Sequence, residues 1–139
     1  MPANAMAADD RPRRSLLYMP GSNPRALEKG RGLPADGLIL DLEDAVAPDA
    51  KATARDVVLS ALRAGGYGRR ELVVRVNALS TSWGQADLVA VARSRAHAVL
   101  LPKVEETREL FAALARDDLG AYLQAHPDVA QLRAPDQVR

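Results

Sequence analysis

The chain has 139 residues, 47% hydrophobic and 27% charged, with 19 Lys+Arg against 18 Asp+Glu and no cysteine. That is the composition of a folded domain rather than a disordered tail; a net charge of +1 with interleaved signs gives no electrostatic case for nucleic acid. The lack of cysteine excludes a disulfide framework and every thiolate-ligated metal site. No apolar run approaches the ~20 residues of a membrane span. The start of the chain lacks the apolar stretch of a secretory signal. A cytoplasmic domain with no membrane and no nucleic-acid partner is expected.

Residues 1–13 are small and polar, and read as a disordered arm. Residues 15–19 (SLLYM) form a short apolar run stopped by Pro20-Gly21, which reads as a buried strand and a turn. Asn23-Pro24 then opens a helix through Arg31, with Asn23 as cap and Pro24 in the first helical position. Residues 37–43 (GLILDLE) are a second strand that turns acidic at its end. A helix over about 49–64 places Ala50, Ala54, Val57, Val58, Ala61 and Leu62 on one face, and Gly65-Gly66 ends it. Residues 71–77 (ELVVRVN) are a third strand, 84–94 a helix, 98–103 (AVLLPK) a fourth strand and 105–115 a fourth helix. One or two further helical turns fit 120–125, and the end of the chain is polar.

Four βα repeats with apolar strands predict an α/β fold with a parallel sheet covered by helices. An open doubly wound sheet and part of a (β/α)₈ barrel both fit, although a whole barrel needs about 250 residues. In either, ligands bind at the carboxyl ends of the strands. Strand alternation places Asp41 and Glu43 on the face of Ile39, Arg75 with Asn77, and Lys103 with Leu101 and Glu105, each opposite an apolar face. Polar groups thus gather at strand ends. Asp41, Glu43 and Asp44 either line a site or offset the dipole of the next helix. Arg75 is either ion-paired to Glu43 or Asp41, or binds an anion. Lys103 is a site residue or a solvated strand end. Gly21-Ser22-Asn23 forms a plain capped turn or a phosphate cradle. His97 and His126 read as surface residues rather than metal ligands, and Trp83 as a staple at a helix start.

Four co-linear segments, RSLLYMPGS (14–22), LDLEDAV (40–46), RVN (75–77) and LPKVE (101–105), resemble the amino-terminal half of the citrate lyase beta-subunit-like family, which includes malyl-CoA and citramalyl-CoA lyases. The resemblance implies a TIM (β/α)₈ barrel, here its N-terminal half over 14–116 with a divergent tail at 117–139. It also implies a Mg²⁺-dependent carbon–carbon lyase that splits a 3-hydroxyacyl-CoA into an acyl-CoA and a 2-keto acid, with the metal as Lewis acid and template. Arg75 matches the arginine that meets the thioester oxygen or the substrate carboxylate. Glu43 and Asp44 match the acidic motif near the metal and its water shell, where they would hold that water or act in acid–base steps without ligating the ion directly, and Asn77, Lys103, Gly21 and Ser22 are the further substrate-binding candidates.

In the family the two carboxylates that ligate Mg²⁺ come from the fifth and sixth strands, which this sequence lacks; Asp117-Asp118 sits at a helix end instead. No metal ligand is therefore assigned, and a truncated, incomplete form is expected. Its barrel would be completed by a homo-oligomer or a second polypeptide. A non-catalytic half-barrel that binds CoA or self-associates is the alternative. Two open sheet edges would favour such pairing.

Overall fold

The computed structural model describes residues 11–108. Most of the helix expected at 105–115, the helical turns at 120–125, Asp117-Asp118, His126 and most of the N-terminal arm lie outside these residues.

The described chain alternates β1 (Leu16–Pro20), α1 (Pro24–Gly30), β2 (Gly37–Asp41), α2 (Lys51–Ala64, preceded by a 3₁₀ turn at Pro48–Ala50), β3 (Glu71–Arg75), α3 (Gly84–Ala92) and β4 (Ala98–Leu100). Local signals set these bounds. The Asn23 side chain accepts the Ala26 N–H, and Pro24 opens α1. Gly65 ends α2 at a φ of 67°, where a Cβ would be strained.

All four strands are parallel and lie in the order β1-β2-β3-β4. Right-handed crossovers between successive neighbours place every helix on one face, and the contacts of α1 with α2 and of α2 with α3 show that single layer. A doubly wound sheet reverses its strand order partway; these four strands do not. The arrangement is compatible with the wall of a partial barrel.

The core lies between sheet and helices. Leu38, Leu40 and Leu42, with Leu72, Val74 and Val76, meet Leu27, Val58, Leu62 and Val91. The opposite face carries Tyr18, Ile39 and Val73 across one row, and Pro20, Asp41, Arg75 and Leu100 across the next. On β1, Leu16, Leu17 and Tyr18 are exposed while Met19 is buried, as suits a strand at the edge of the sheet among the described residues.

Three of the strands stop earlier than the sequence suggests, and this changes which way their last residues point. Leu100 pairs with Arg75 and so shares its face, while Leu101 packs on the core. That is the reverse of the alternation read over 98–103. Lys103 still reaches the strand ends, because β4 stops at Leu100 and Lys103 takes a left-handed φ of 47° after Pro102. Asn77 lies past the end of β3 and turns its amide toward the helix layer.

Candidate active site at the strand ends

The carboxyl ends of β2, β3 and β4 bring Asp41, Glu43, Asp44, Arg75 and Lys103 together. Asp41 and Arg75 are register partners on adjacent strands, so their side chains leave the same face side by side. The guanidinium forks onto the carboxylate, with Nε to Oδ1 at 2.8 Å and Nη2 to Oδ2 at 2.7 Å. Asp41 is fully buried and also accepts the N–H groups of Glu43 and Ala45, which bends the chain into a tight acidic loop. Burial pushes the Asp41 pKa up, but the bonds from Arg75, Glu43 and Ala45 outweigh it, and the net shift is downward. Arg75 is held above its ordinary value, first by the hydrogen bonds to Asp41.

The two readings of Arg75 are therefore not exclusive. Two of its nitrogens serve a structural ion pair, while Nη1 lies 3.2 Å from Glu43 Oε2. That contact lacks hydrogen-bond geometry, and among the described residues Oε2 is a buried oxygen with no hydrogen-bond partner. The Tyr18 ring covers the guanidinium face at 4.8 Å. At the rim, Lys103 Nζ lies 2.7 Å from Glu43 Oε1 and 3.0 Å from Asp44 Oδ1. The bonds to Glu43 and then Asp44 raise the lysine's pKa.

Other candidates have a different setting. The Gly21 N–H donates to the Asp41 carbonyl at 2.8 Å, so it braces β2 rather than opening toward a ligand. Ser22 is exposed beside it. Asn77 is buried, its Nδ2 donating to the Leu42 carbonyl at 2.9 Å and to Asp87 Oδ2 at 2.6 Å. His97 is half-buried and structural, its Nδ1 accepting the Leu72 N–H at 2.8 Å.

Three residues that frame the site had drawn no attention in the sequence. Asp87, fully buried in α3, orients Asn77 and is held by Arg55 at 2.7 Å. Lys51, also buried, donates to the carbonyls of Leu42 and Glu43, with the Trp83 ring 5.4 Å away. A charged residue at a helix position whose neighbours three and four along (Ala54, Arg55) are core or half-buried was the available signal for Lys51.

The described residues do not by themselves fit a resident Mg²⁺. Among them, no three His, Asp or Glu side chains are grouped to hold a metal. Both Asp41 oxygens are engaged by Arg75 and main-chain N–H groups, and Lys103 stands between Glu43 and Asp44.

The parallel α/β fold is shared with known proteins. The chain is 52% identical over 110 residues to a (3S)-malyl-CoA thioesterase of Cereibacter sphaeroides, a match covering 79% of this chain and 39% of the relative. It is 45% identical over 100 residues to the citrate lyase subunit beta of Escherichia coli, covering 72% and 33%. Among solved structures, CitE from Mycobacterium tuberculosis in complex with magnesium, acetoacetate and coenzyme A superposes with a TM-score of 0.62 at 33% identity, covering 76% of this chain and 39% of that one. The matched region thus spans about two fifths or less of those proteins. Residues 14–116 match the model of one family, and the chain belongs to it: HpcH/HpaI aldolase/citrate lyase.

Proposed function

We propose that this chain supplies the strand-end mouth of a carbon–carbon lyase that splits 3-hydroxyacyl-CoA thioesters, such as citramalyl-CoA, malyl-CoA or citryl-CoA, into an acyl-CoA and a keto acid. The observation that carries the reading is Arg75, fixed by its fork onto buried Asp41 and holding Nη1 3.2 Å from Glu43 Oε2, an oxygen that accepts no hydrogen bond among the described residues. In the cleavage direction the β-hydroxyl loses its proton and the oxygen pair closes the new carbonyl. The pair of the breaking bond passes to the thioester oxygen as an enolate, and a proton added at the α-carbon gives the acyl-CoA. An arginine already oriented by Asp41 meets that developing charge without reorganising. In this reading Glu43 exchanges the proton, Asp44 stands at the rim, and Lys103, ion-paired to both, meets an anionic substrate group.

Dependence on Mg²⁺ rests on likeness to the magnesium-bound M. tuberculosis protein. Since the described residues do not fit the ion, its ligands would come from elsewhere. Completion of the site by a second polypeptide or a second copy, docking at the β1 and β4 edges, is part of the same proposal.

The 52% identity to a thioesterase favours a second reading, hydrolysis of the thioester, in which Arg75 would stabilise a tetrahedral oxyanion instead. The two chemistries leave different products. Purified chain incubated with malyl-CoA, with Mg²⁺ and with EDTA, is assayed with a carbonyl trap and a thiol reagent. Trapped carbonyl that EDTA abolishes supports the lyase. Free thiol without carbonyl supports the thioesterase. Neither, from folded protein, leaves a non-catalytic CoA-binding or self-associating module.

A further inference from the structure

Lys51 opens α2 and is only 7% exposed. Burying an ammonium is unfavourable unless it is well bonded, and core packing alone would select an apolar side chain there. Its Nζ donates to two successive carbonyls, Leu42 at 3.0 Å and Glu43 at 2.8 Å, just beyond the end of β2 where strand pairing no longer engages them. The Trp83 ring lies 5.4 Å from the same ammonium. Asn77 Nδ2 donates to the Leu42 carbonyl as well, and is itself held by Asp87 and through it by Arg55. On the other side of the loop, the Asp41 carboxylate accepts the N–H groups of Glu43 and Ala45. The loop's carbonyls are thus gripped from the helix layer and its amides from the strand, and the residue between those grips is Glu43.

We propose that Lys51 is a positioning residue: its buried ammonium fixes the main chain at 42–43 so that the Glu43 carboxylate stays beside Arg75. The proposal rests on the reading of Glu43 and Arg75 as site residues. It assigns Lys51 no contact with substrate. A long cation is suited to this task, because three rotatable donors on one atom can bond two carbonyls at once while an indole face covers the remainder.

The test uses amide hydrogen exchange on the full chain. In Lys51→Met, the Glu43 and Ala45 amides should lose about tenfold in protection, while Val74 and Leu88 in the core change little. A purely structural role would shift all four together. The chain has no cysteine, so Lys51→Cys can be alkylated specifically with 2-bromoethylamine in denaturant: the thiolate sulfur forms the new carbon bond and bromide leaves. After refolding, this lysine isostere should restore the protection that the unmodified cysteine variant lacks. Unchanged Glu43 and Ala45 protection in folded Lys51→Met overturns the proposal. So does failure of both variants to fold, or failure of the alkylated chain to recover. Titration with oxaloacetate, a 2-keto acid, separates the two layers. Wild-type binding that weakens about tenfold in Lys51→Met supports both. No wild-type binding removes the site reading, while the amides still decide whether Lys51 holds the loop.

Discussion

The side chain that organises the strand ends is Asp41, and the sequence alone had assigned the leading part to Arg75. Deleting Arg75 strands a fully buried carboxylate. Arg75→Ala should lower stability by about 3 kcal/mol, the scale for breaking one side of a buried pair. Urea unfolding checks it, and a loss below about 1 kcal/mol would place the Asp41 charge in better-solvated surroundings than its burial indicates. Adding Asp41→Asn should recover part of the loss, because a neutral amide needs no counter-ion. The same carboxylates set the acid limb. Asp41 is net lowered, Glu71 is lowered chiefly by its bonds from Arg13, and Asp36 is brought to about 2 by Arg14. A carboxylate whose pKa is lower folded than unfolded contributes its stability above the unfolded value and loses it as pH falls through the folded one. These carboxylates should therefore make the urea midpoint fall between about pH 4 and 2. A midpoint that holds steady down to pH 2 would contradict these pairings.

At the level of elements, helix caps and the presence of the strands were legible; strand order and strand ends were not. Asn23-Pro24 and the Gly65-Gly66 stop are local signals and form as read, while the apolar runs read over 37–43 and 71–77 pair only over Gly37–Asp41 and Glu71–Arg75. Where a strand stops is decided by partners far along the chain. β4 pairs for three residues only, so the alternation extended through Lys103 came out inverted, and Asn77 left the face of Arg75 for Asp87. Glycine roles depend on the same long-range contacts. A Cβ on Gly21 would lie 2.5 Å from the Asp41 carbonyl oxygen, so the residue permits β1 and β2 to close at the site. A Cβ on Gly84 would lie 2.1 Å from the Ala78 oxygen and 2.8 Å from that of Asn77, all main chain that cannot swing aside. Gly84→Ala should thus destabilise by about 3 kcal/mol or more, beyond the usual overpacking range, by separating α3 from the β3 exit. Gly21→Ala should lose about 1–3 kcal/mol. Thermal melts rank the two. An equal and small effect would mean the helix and loop separate freely.

For the whole molecule, composition and repeats pointed to parallel α/β architecture, and the sequential strand order with one helix layer agrees with that. What no local pattern carries is how the outer strands are covered. Leu16 and Leu17 point to opposite faces of β1 and are 43% and 42% exposed, so among the described residues the edge offers both unpaired main chain and apolar surface. Self-association should rise with concentration, and Leu17→Lys should reduce it in light scattering while moving the melting temperature little. Association unaffected by the lysine would locate the contact elsewhere. The metal question has the same physical root. Mg²⁺ demands near-octahedral oxygen donors and gives up its water reluctantly. At the described strand ends, Asp41 is locked to Arg75, and Lys103 already bridges Glu43 and Asp44. Divalent binding there would have to displace a lysine and leave Arg75 beside the ion. Calorimetric titration of the chain with Mg²⁺ alone should therefore show no tight stoichiometric site, and Lys103→Met should not create one, since Arg75 still repels the ion. Adding the keto acid supplies oxygens the protein does not, so any Mg²⁺ heat should appear only in its presence. A tight site in the free chain would mean that carboxylates beyond residues 11–108 reach the strand ends and complete a coordination shell there.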